Sequence, residues 1–342
     1  MTETMQRWAL EAVGREHLAL ARIPIPEPRP GEVLVKVAAV SLNYRDKLVI
    51  DGAMPLPLAF PFTPASDLAG TVVALGEGAG RFAVGQRVIS TFEAGWIDGA
   101  PEGTARNPPY RTLGGVHPGV LSEFVAFPEA WFAPAPASLD DAEASTLPVA
   151  GLTAWSALVE YGRLRAGQTV LLQGTGGVSL FALQIAKAHG AEVIVTSSSL
   201  DKLARVKALG ADHGILRQDD AWVAAVHERT ADRGADHILE MAGGANLGRS
   251  VEAVAVQGRI SVIGVFDGFT FSGPMGPLLR KQPVIQGISV GHRRALEDFA
   301  RAVDRVGLKP VIDRRFAFAD LPAALDHLDR GPFGKIVVTL DG

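Results

Sequence analysis

An apolar strand, a glycine turn and an apolar-periodic helix follow one another directly in residues 169–187. Gly174 and Gly176 stand where a dinucleotide-binding turn needs a tight bend and a close approach of the backbone to the phosphates. Ser179 takes the place of the usual third glycine. The backbone amides that we expect to face the pyrophosphate from the helix N-terminus are those of Thr175, Gly176, Gly177 and Val178. A strand-to-helix turn without a ligand is the alternative.

The composition excludes several classes of protein. A chain of 342 residues suggests two domains, and its net charge of −4 gives no basic footprint for nucleic acid. It has no cysteine, and its 8 histidines show no metal-binding spacing, so we expect no disulfide and no metal site. There is no apolar run of about 18 residues and no signal peptide, which favours a cytoplasmic protein without a membrane span.

The pattern of elements changes along the chain. The first part reads as short strands punctuated by glycine turns, typical of a mostly β domain of Greek-key or barrel character. From Ala142 onward, apolar strands alternate with helices, which predicts an α/β fold with a doubly wound parallel sheet. A helix over 295–306 and a last strand over 335–339 can rejoin the first domain. Residues 93–119 show little periodicity and suggest a functional loop.

The end of the second strand of the α/β domain predicts the cofactor. An acidic residue there binds the ribose 2′-hydroxyl of NAD, but this chain has Ser197 and Ser198. Lys202 follows in the next helix, and Arg217 follows the next strand. Hydroxyls and cations suit a 2′-phosphate, so we expect NADP(H) in preference to NAD(H). A capping serine beside a solvated lysine is the alternative.

The whole chain resembles the medium-chain dehydrogenase/reductase superfamily, in its zinc-free, quinone-oxidoreductase-like branch. The segments that carry the resemblance are SLNYRD (41–46), PASDLAG (64–70), GRFAVGQRV (80–88), LPVAGLTAW (147–155), the turn at 174–179, ALGADH (208–213) and FGKIV (333–337). The resemblance implies a GroES-like catalytic domain over 1–150, a Rossmann NADP-binding domain over 151–289, and a segment over 290–342 that completes the catalytic domain.

The resemblance also implies that no zinc is bound. The positions that match zinc ligands of relatives hold Asn43, Ser66 and Ala150, and Asp67 stands where relatives carry glutamate. By the same resemblance, contacts to the nicotinamide come from Thr153, Gly264, Val265, Ser289 and Val290. Lys335 matches a residue that contacts the cofactor in some relatives, although a surface lysine is the alternative. Residues 273–277 precede a strand that often builds a homodimer sheet in relatives.

Without a Lewis acid, an activated C=C is easier to reduce than a plain ketone. Hydride then adds to the β-carbon of an enone, quinone or enoyl thioester, and negative charge develops on the conjugated oxygen, which needs hydrogen-bond donors. The candidate donors are Asn43 and Tyr44, and we expect Asp46 to orient their loop. Asn43 as a turn residue and Tyr44 as a core aromatic are the alternatives.

Other functions remain open at this point. Within the same class, the chain could be an alcohol or aldehyde oxidoreductase that works without metal. Residues 287–291 match the Gly-x-Ser-x-Gly elbow around Ser289, with Asp313 and His327 in the order that an esterase requires. A non-catalytic NADPH-binding protein would show the same cofactor motif. The small-molecule substrate lies beyond what the residues specify.

Overall fold

The contacts between backbone positions divide the chain into two compact units. A computed structural model describes residues 3–217 and 221–340. Unit 1 comprises Met1–Leu152 and Val290–Gly342, and unit 2 comprises Thr153–Ser289. The sequence places the corresponding boundaries at 150/151 and 289/290.

The described residues form strands and helices, which are numbered here in chain order. The strands are β1 (Thr4–Leu10), β2 (Leu18–Pro24), β3 (Glu32–Leu42), β4 (Asp67–Leu75), β5 (Arg87–Ser90), β6 (Phe124–Pro128), β7 (Phe132–Pro134), β8 (Thr169–Gln173), β9 (Glu192–Ser197), β10 (His213–Leu216), β11 (Ala235–Glu240), β12 (Val254–Val262), β13 (Val284–Gly287), β14 (Ile312–Ala317) and β15 (Lys335–Thr339). The helices are α1 (Tyr44–Ile50), α2 (Asp141–Ala144), α3 (Leu152–Trp155), α4 (Gly177–Ala188), α5 (Leu200–Ala208), α6 (Ala221–Arg229), α7 (Asn246–Ala253), α8 (Met275–Lys281), α9 (Arg293–Val306) and α10 (Leu321–Asp329). Wider π-helical turns, Leu147–Gly151 and Ser156–Glu160, flank α3.

Unit 1 is mostly β. Its main sheet has the strand order β14-β15-β3-β4-β5-β7, β6 pairs with β3, and β1 and β2 form a separate hairpin. The long strand β3 is rich in valine, and Val33, Val35 and Val40 are fully buried in the core, because branched side chains pack well on a pleated surface. β15 lies between β3 and β14, so the C-terminal segment completes the sheet.

Unit 2 is a doubly wound parallel sheet. Its strand order is β10-β9-β8-β11-β12-β13, which is the order 3-2-1-4-5-6 of dinucleotide-binding domains. The strands read as apolar runs because helices cover both faces, and the valines and leucines of β8 and β9 are almost fully buried. The predicted fold class is therefore confirmed. The chain order reverses between β8 and β11, and ligands of such sheets bind at that switch point.

One predicted element boundary is wrong. The apolar periodicity predicts a helix over 247–256, but α7 ends at Ala253 and β12 begins at Val254. The segment Val254-Ala255-Val256 satisfies helical and strand periodicity equally, and valine favours the strand once a neighbouring strand offers backbone hydrogen bonds. At the start of β12 such a partner comes from β11, where Ala235 lies opposite Val254.

Candidate active site

The predicted cofactor turn lies at the carboxyl end of β8. Gly174 has a φ of 80°, a left-handed conformation that glycine adopts without steric cost, and Gly176 is the N-cap of α4. A Cβ atom added at Gly174 or at Gly176 would meet no heavy atom within 4 Å. Ser179 turns its hydroxyl inward and donates to the carbonyl oxygen of Gln173 at 3.0 Å. The turn is therefore open on the side where a pyrophosphate would approach the first turn of α4.

Serines and a cation lie at the neighbouring corner, where β9 and β10 end side by side. The backbone amide of Arg217 donates to the carbonyl oxygen of Ser197 at 2.8 Å, so the two predicted residues are adjacent. The Ser197 hydroxyl accepts from the amide of Ser199 at 3.2 Å. Ser199 is the N-cap of α5 and accepts from the amide of Lys202 at 3.3 Å. Ser198 is exposed beside them, and no acidic residue occurs in 196–200.

A buried carboxylate that the sequence reasoning missed fixes the switch point. Glu240, at the end of β11, is fully buried and accepts from the amides of Ala242 and Gly243 at 2.9 and 3.1 Å. It also accepts from the side chains of Gln173 at 3.1 Å and Asn246 at 2.9 Å. Since Gln173 directly precedes the glycine turn, this network ties the ends of β8 and β11 together. The sequence does carry a signal for this network, because a polar residue ends an apolar strand at 173 and again at 240.

In unit 1 the candidate catalytic residues lie at the start of α1. Asn43 is the N-cap, and its backbone amide donates to Asp46 Oδ2 at 2.8 Å. Asp46 is fully buried, so it holds this turn from a position without access to solvent. Tyr44, the first residue of α1, has a relative exposure of 42%. This exposure agrees both with a contact to substrate and with the alternative of a half-buried aromatic.

Lys335, the first residue of β15, joins this cluster. Its ammonium donates to Asn43 Oδ1 at 2.6 Å and to the carbonyl oxygen of Leu42 at 2.7 Å. The residue is only 5% exposed, so the alternative of a surface lysine is wrong. Asn43 and Lys335 come together because β15 pairs antiparallel with the end of β3, with Ile336 opposite Leu42.

Ser66 and Asp67 continue the cluster at the start of β4. Asn43 Nδ2 lies 3.4 Å from Ser66 Oγ, and Ser66 Oγ donates to Asp67 Oδ1 at 2.6 Å. The backbone amide of Val149 donates to Asp67 Oδ2 at 3.1 Å. Both Ser66 and Asp67 are fully buried.

Burial dominates the electrostatics of this cluster. It raises the pKa of Asp46 to about 6, although the nearby Arg45 guanidinium opposes the shift. Burial likewise raises the pKa of Asp67, opposed by Lys335 and by hydrogen bonds from Ser66 and Asn43. The pKa of Lys335 is lowered by burial, and the two carboxylates oppose that shift. Lys335 and each of the two carboxylates thus stabilise one another's charged forms, whereas Asp67 disfavours the charged form of Asp46.

Arg45 connects α1 to the segment 93–119, a role that sequence reasoning missed. Its guanidinium donates to Tyr110 Oη at 3.2 Å, to Thr112 Oγ1 at 3.0 Å and to the carbonyl oxygens of Leu113 and Gly114 at 3.1 and 3.2 Å. It also lies over the ring of Phe92, 5.0 Å from the centroid. This one side chain therefore fixes the end of an otherwise irregular loop.

Two family models match the chain: the alcohol dehydrogenase GroES-like domain over residues 29–137 and the zinc-binding dehydrogenase model over 177–306. A zinc-type alcohol dehydrogenase-like protein of Schizosaccharomyces pombe is 36% identical over 340 residues, covering 97% of each chain. The chain belongs to the medium-chain dehydrogenase/reductase superfamily. The quinone oxidoreductase of Rattus norvegicus is 27% identical, covering 93% of this chain and 92% of its own. A crystal structure from Sinorhizobium meliloti 1021, provisionally named an alcohol dehydrogenase, is 65% identical with a TM-score of 0.96 and covers 99% of each chain.

As a member of this superfamily the protein is an oxidoreductase, and a nicotinamide cofactor is expected. The open glycine turn at the switch point fits that cofactor. The other residues predicted to contact the nicotinamide lie in unit 2 or at its boundary. Thr153 is buried in α3. Gly264 and Val265 follow β12, and Ser289 and Val290 follow β13. Gly264 cannot be replaced easily, because a Cβ there would lie 1.8 Å from the carbonyl oxygen of Met241.

The residues at the zinc-ligand positions of this superfamily do not fit a zinc ion. Asn43 and Ser66 offer only weak, neutral ligand atoms, and the side chain of Ala150 offers no ligand atom. The Lys335 ammonium lies against Asn43 Oδ1. Within 3–217 and 221–340, no group of three or more His, Asp or Glu side chains could hold a metal. No helix in the same ranges is long and apolar enough to cross a membrane.

The esterase alternative does not agree with the local structure. His327 and Asp313 do form a pair, with Nε2 2.8 Å from Oδ2. The helix after Ser289, however, begins only at Arg293 and is capped by His292. A nucleophile elbow places the serine on the strand-to-helix turn itself, so Ser289 lies too far before the helix.

Proposed function

We propose that the protein is a zinc-independent, NADPH-dependent oxidoreductase that reduces an activated C=C in an enone, quinone or enoyl thioester. The observation that carries the proposal is the donor set at the start of α1. Asn43, Ser66 and Asp67 form a hydrogen-bonded cluster with Lys335 in place of metal ligands, and the Tyr44 side chain is exposed beside them. Such a site offers hydrogen-bond donors to an oxygen but no Lewis acid.

The preference for NADPH is argued from the corner formed by β9 and β10. Ser197 stands where an acidic residue would repel a 2′-phosphate, and Arg217 is its backbone neighbour. Lys202 lies in the first turn of α5 at the same corner. A guanidinium and an ammonium near two hydroxyls favour a phosphate dianion.

The bound nicotinamide would supply hydride to the β-carbon of the substrate. Negative charge then develops on the conjugated oxygen, and the Tyr44 hydroxyl is the group that would donate to it. Asp46 and Lys335 hold the turn that carries Tyr44 through their contacts with Asn43. The proton that completes the reduction at the α-carbon comes from Tyr44 or from water.

A fluorescence titration of metal-free protein with NADPH and with NADH tests the cofactor half. We expect NADPH to bind at least about tenfold more tightly than NADH, and Lys202→Ala and Arg217→Ala to weaken only NADPH. Equal or tighter binding of NADH would contradict the NADPH assignment. Binding of neither cofactor would contradict the oxidoreductase mechanism itself.

A substrate screen with the preferred cofactor tests the other half. Quinones, enones and enoyl thioesters are compared with aldehydes and ketones, in the presence of a chelator. The competing candidate is a metal-free alcohol or aldehyde oxidoreductase, which the name of the S. pombe relative favours. Turnover confined to aldehydes and ketones would select that candidate. Cofactor binding without any turnover would instead indicate a binding protein.

A further inference from the structure

A single chain of hydrogen bonds connects Lys335 with three other segments of unit 1. It starts at Lys335, passes through Asn43 between β3 and α1, and reaches Ser66 and Asp67 at the start of β4. It ends at the backbone amide of Val149, in the π-helical turn Leu147–Gly151. These are the segments that contain the positions matching zinc ligands of relatives, Asn43, Ser66 and Ala150.

The direction of each bond between Lys335 and Asp67 is fixed by these two charged residues. An ammonium only donates, so the carbonyl oxygen of the Asn43 amide must face Lys335 and its NH₂ group must face Ser66. The Asp67 carboxylate only accepts, so the Ser66 hydroxyl must point its proton toward it. Hydrogen bonds that run in one direction from a cation to an anion polarise one another and are stronger for it.

The chain is also shielded from solvent. Asn43 and Lys335 are 8% and 5% exposed, and Ser66 and Asp67 are fully buried. Removal of Lys335 would leave the buried Asp67 carboxylate without the ammonium that stabilises its charged form, which is unfavourable. The arrangement therefore resists any movement of the three segments relative to one another.

We propose that this buried chain provides the cross-link between the three segments that a metal ion would otherwise provide, and that Lys335 is a positioning residue that presents Tyr44 through Asn43. The second part rests on the proposed function, because it assigns Tyr44 a contact with substrate. The first part concerns only the fold of unit 1. Tyr44 follows Asn43 directly, so the orientation of the Asn43 turn sets the start of α1.

Hydrogen exchange of the cofactor-free protein, followed by mass spectrometry, tests the cross-link. The variant is Lys335→Met, and the control is Lys36→Met on the exposed side of β3. We expect Lys335→Met to accelerate exchange at least about threefold in all three segments, 41–46, 64–69 and 147–151, because local opening follows local stability. Lys36→Met should leave them unchanged. Acceleration limited to the neighbourhood of residue 335 would overturn the cross-link.

Ser66→Ala provides a second route, should Lys335→Met fail to fold. It breaks the chain in the middle while removing only one hydroxyl. We expect faster exchange in 41–46, which loses the contact between Asn43 and Ser66, and in 147–151, which the Ser66 hydroxyl does not itself contact. Exchange as slow as in the wild type in both segments would overturn the proposal.

A double-mutant cycle on the best substrate tests the positioning role. We expect Lys335→Met to lower kcat about tenfold and to leave the Kd for NADPH within about twofold of the wild-type value. In a Tyr44→Phe background, Lys335→Met should lower kcat no further. Additive effects of the two substitutions would overturn the positioning role. An inactive wild-type protein would instead contradict the proposed function, and the hydrogen exchange of the cofactor-free protein would still decide the cross-link.

Discussion

The Lys335 ammonium lies 2.6 Å from Asn43 Oδ1, although 292 positions of the chain separate the two residues. This contact joins the first residue of β15 to the N-cap of α1, and it lies beside two buried carboxylates. The two charged side chains that contact Asn43, Lys335 and Asp46, both belong to unit 1.

Gly176→Ala should abolish tight cofactor binding without affecting the fold. The backbone φ at Gly176 is −79°, and the added Cβ would meet no protein atom within 4 Å, so stability should change by less than about 0.5 kcal/mol. The methyl group would occupy the space of the pyrophosphate and raise the Kd for NADPH at least about tenfold. Thermal unfolding measures the stability, and fluorescence titration measures the Kd for NADPH.

Gly80→Ala is the control, because a Cβ there would also meet no atom within 4 Å, and it should change neither the stability nor the Kd. Unchanged affinity in Gly176→Ala would contradict the placement of the cofactor.

Ser197→Asp should reverse the preference between the two cofactors. A carboxylate at the end of β9 can accept from the ribose hydroxyls of NADH and repels the 2′-phosphate of NADPH. We expect the Kd for NADPH to rise about tenfold or more while that for NADH falls. Titration of both cofactors at two salt concentrations measures this. Ser198→Asp, at the exposed next position, is the comparison, and we expect it to change the two Kd values less. Equal changes in both variants would mean that long-range charge alone sets the preference.

Arg45→Lys should destabilise unit 1 even though the charge is kept. Lysine cannot reproduce the several hydrogen bonds to Tyr110, Thr112 and the following carbonyl oxygens, nor the stacking over Phe92. We expect a loss of about 2 kcal/mol in the free energy of unfolding. Arg22→Lys, whose guanidinium is exposed, is the control and should lose less than about 0.5 kcal/mol. Equal losses would mean that Arg45 does not fix the loop in solution.

Asp46→Asn should become more stabilising, relative to the wild type, as the pH rises. The pKa of Asp46 is raised from 3.8 to about 6, so burial of the ionised form is unfavourable and its cost builds up as the pH rises from about 4 to about 6. Below about pH 4 both proteins carry a neutral side chain and should differ little. Between pH 4 and pH 8 the difference should move by about 3 kcal/mol in favour of Asn. Urea unfolding at several pH values measures it, and a constant difference would contradict the shifted pKa.

The exposed apolar side chains near the free edge of unit 2 favour a homodimer, which we propose as the state in solution. β13 is the edge strand, and Phe269, Phe271, Leu279 and Ile285 are exposed in the same part of the chain. Light scattering should give twice the mass of one chain, and Ile285→Lys should give the monomer at micromolar concentration. Val84→Lys, at an exposed valine of unit 1, should leave the dimer intact. A monomeric wild type would contradict the proposal.

The parts of the site that depend on local geometry could be predicted from the sequence. Gly174 was identified because a strand-to-helix turn at that point needs a positive φ, and the structure has it at 80°. Ser197 and Arg217 were placed at one corner because parallel strands bring their carboxyl ends together, and their backbones are hydrogen-bonded. The doubly wound parallel sheet of unit 2 was predicted from the alternation of apolar strands and helices.

The buried polar clusters could not be predicted in the same way. Lys335 looks like a surface residue in its own segment, since its partners belong to the turn after β3 and are distant in sequence. Glu240 could be recognised only once β8 and β11 were known to be neighbours. The helix predicted to continue to residue 256 ended early for a related reason, because the pairing of β12 with its neighbours decides the conformation of its valines.

The interrupted layout of unit 1 has a consequence for how the protein is made. The sheet of unit 1 needs β15 between β3 and β14, and β15 also carries the ammonium that Asn43 requires. Because synthesis proceeds from the N-terminus, all of 153–289 has been synthesised before residue 335 is added. Unit 2 can thus fold on the ribosome while unit 1 still lacks this interior strand. A chain that stops short of β15 could therefore complete the sheet of unit 2 but not that of unit 1.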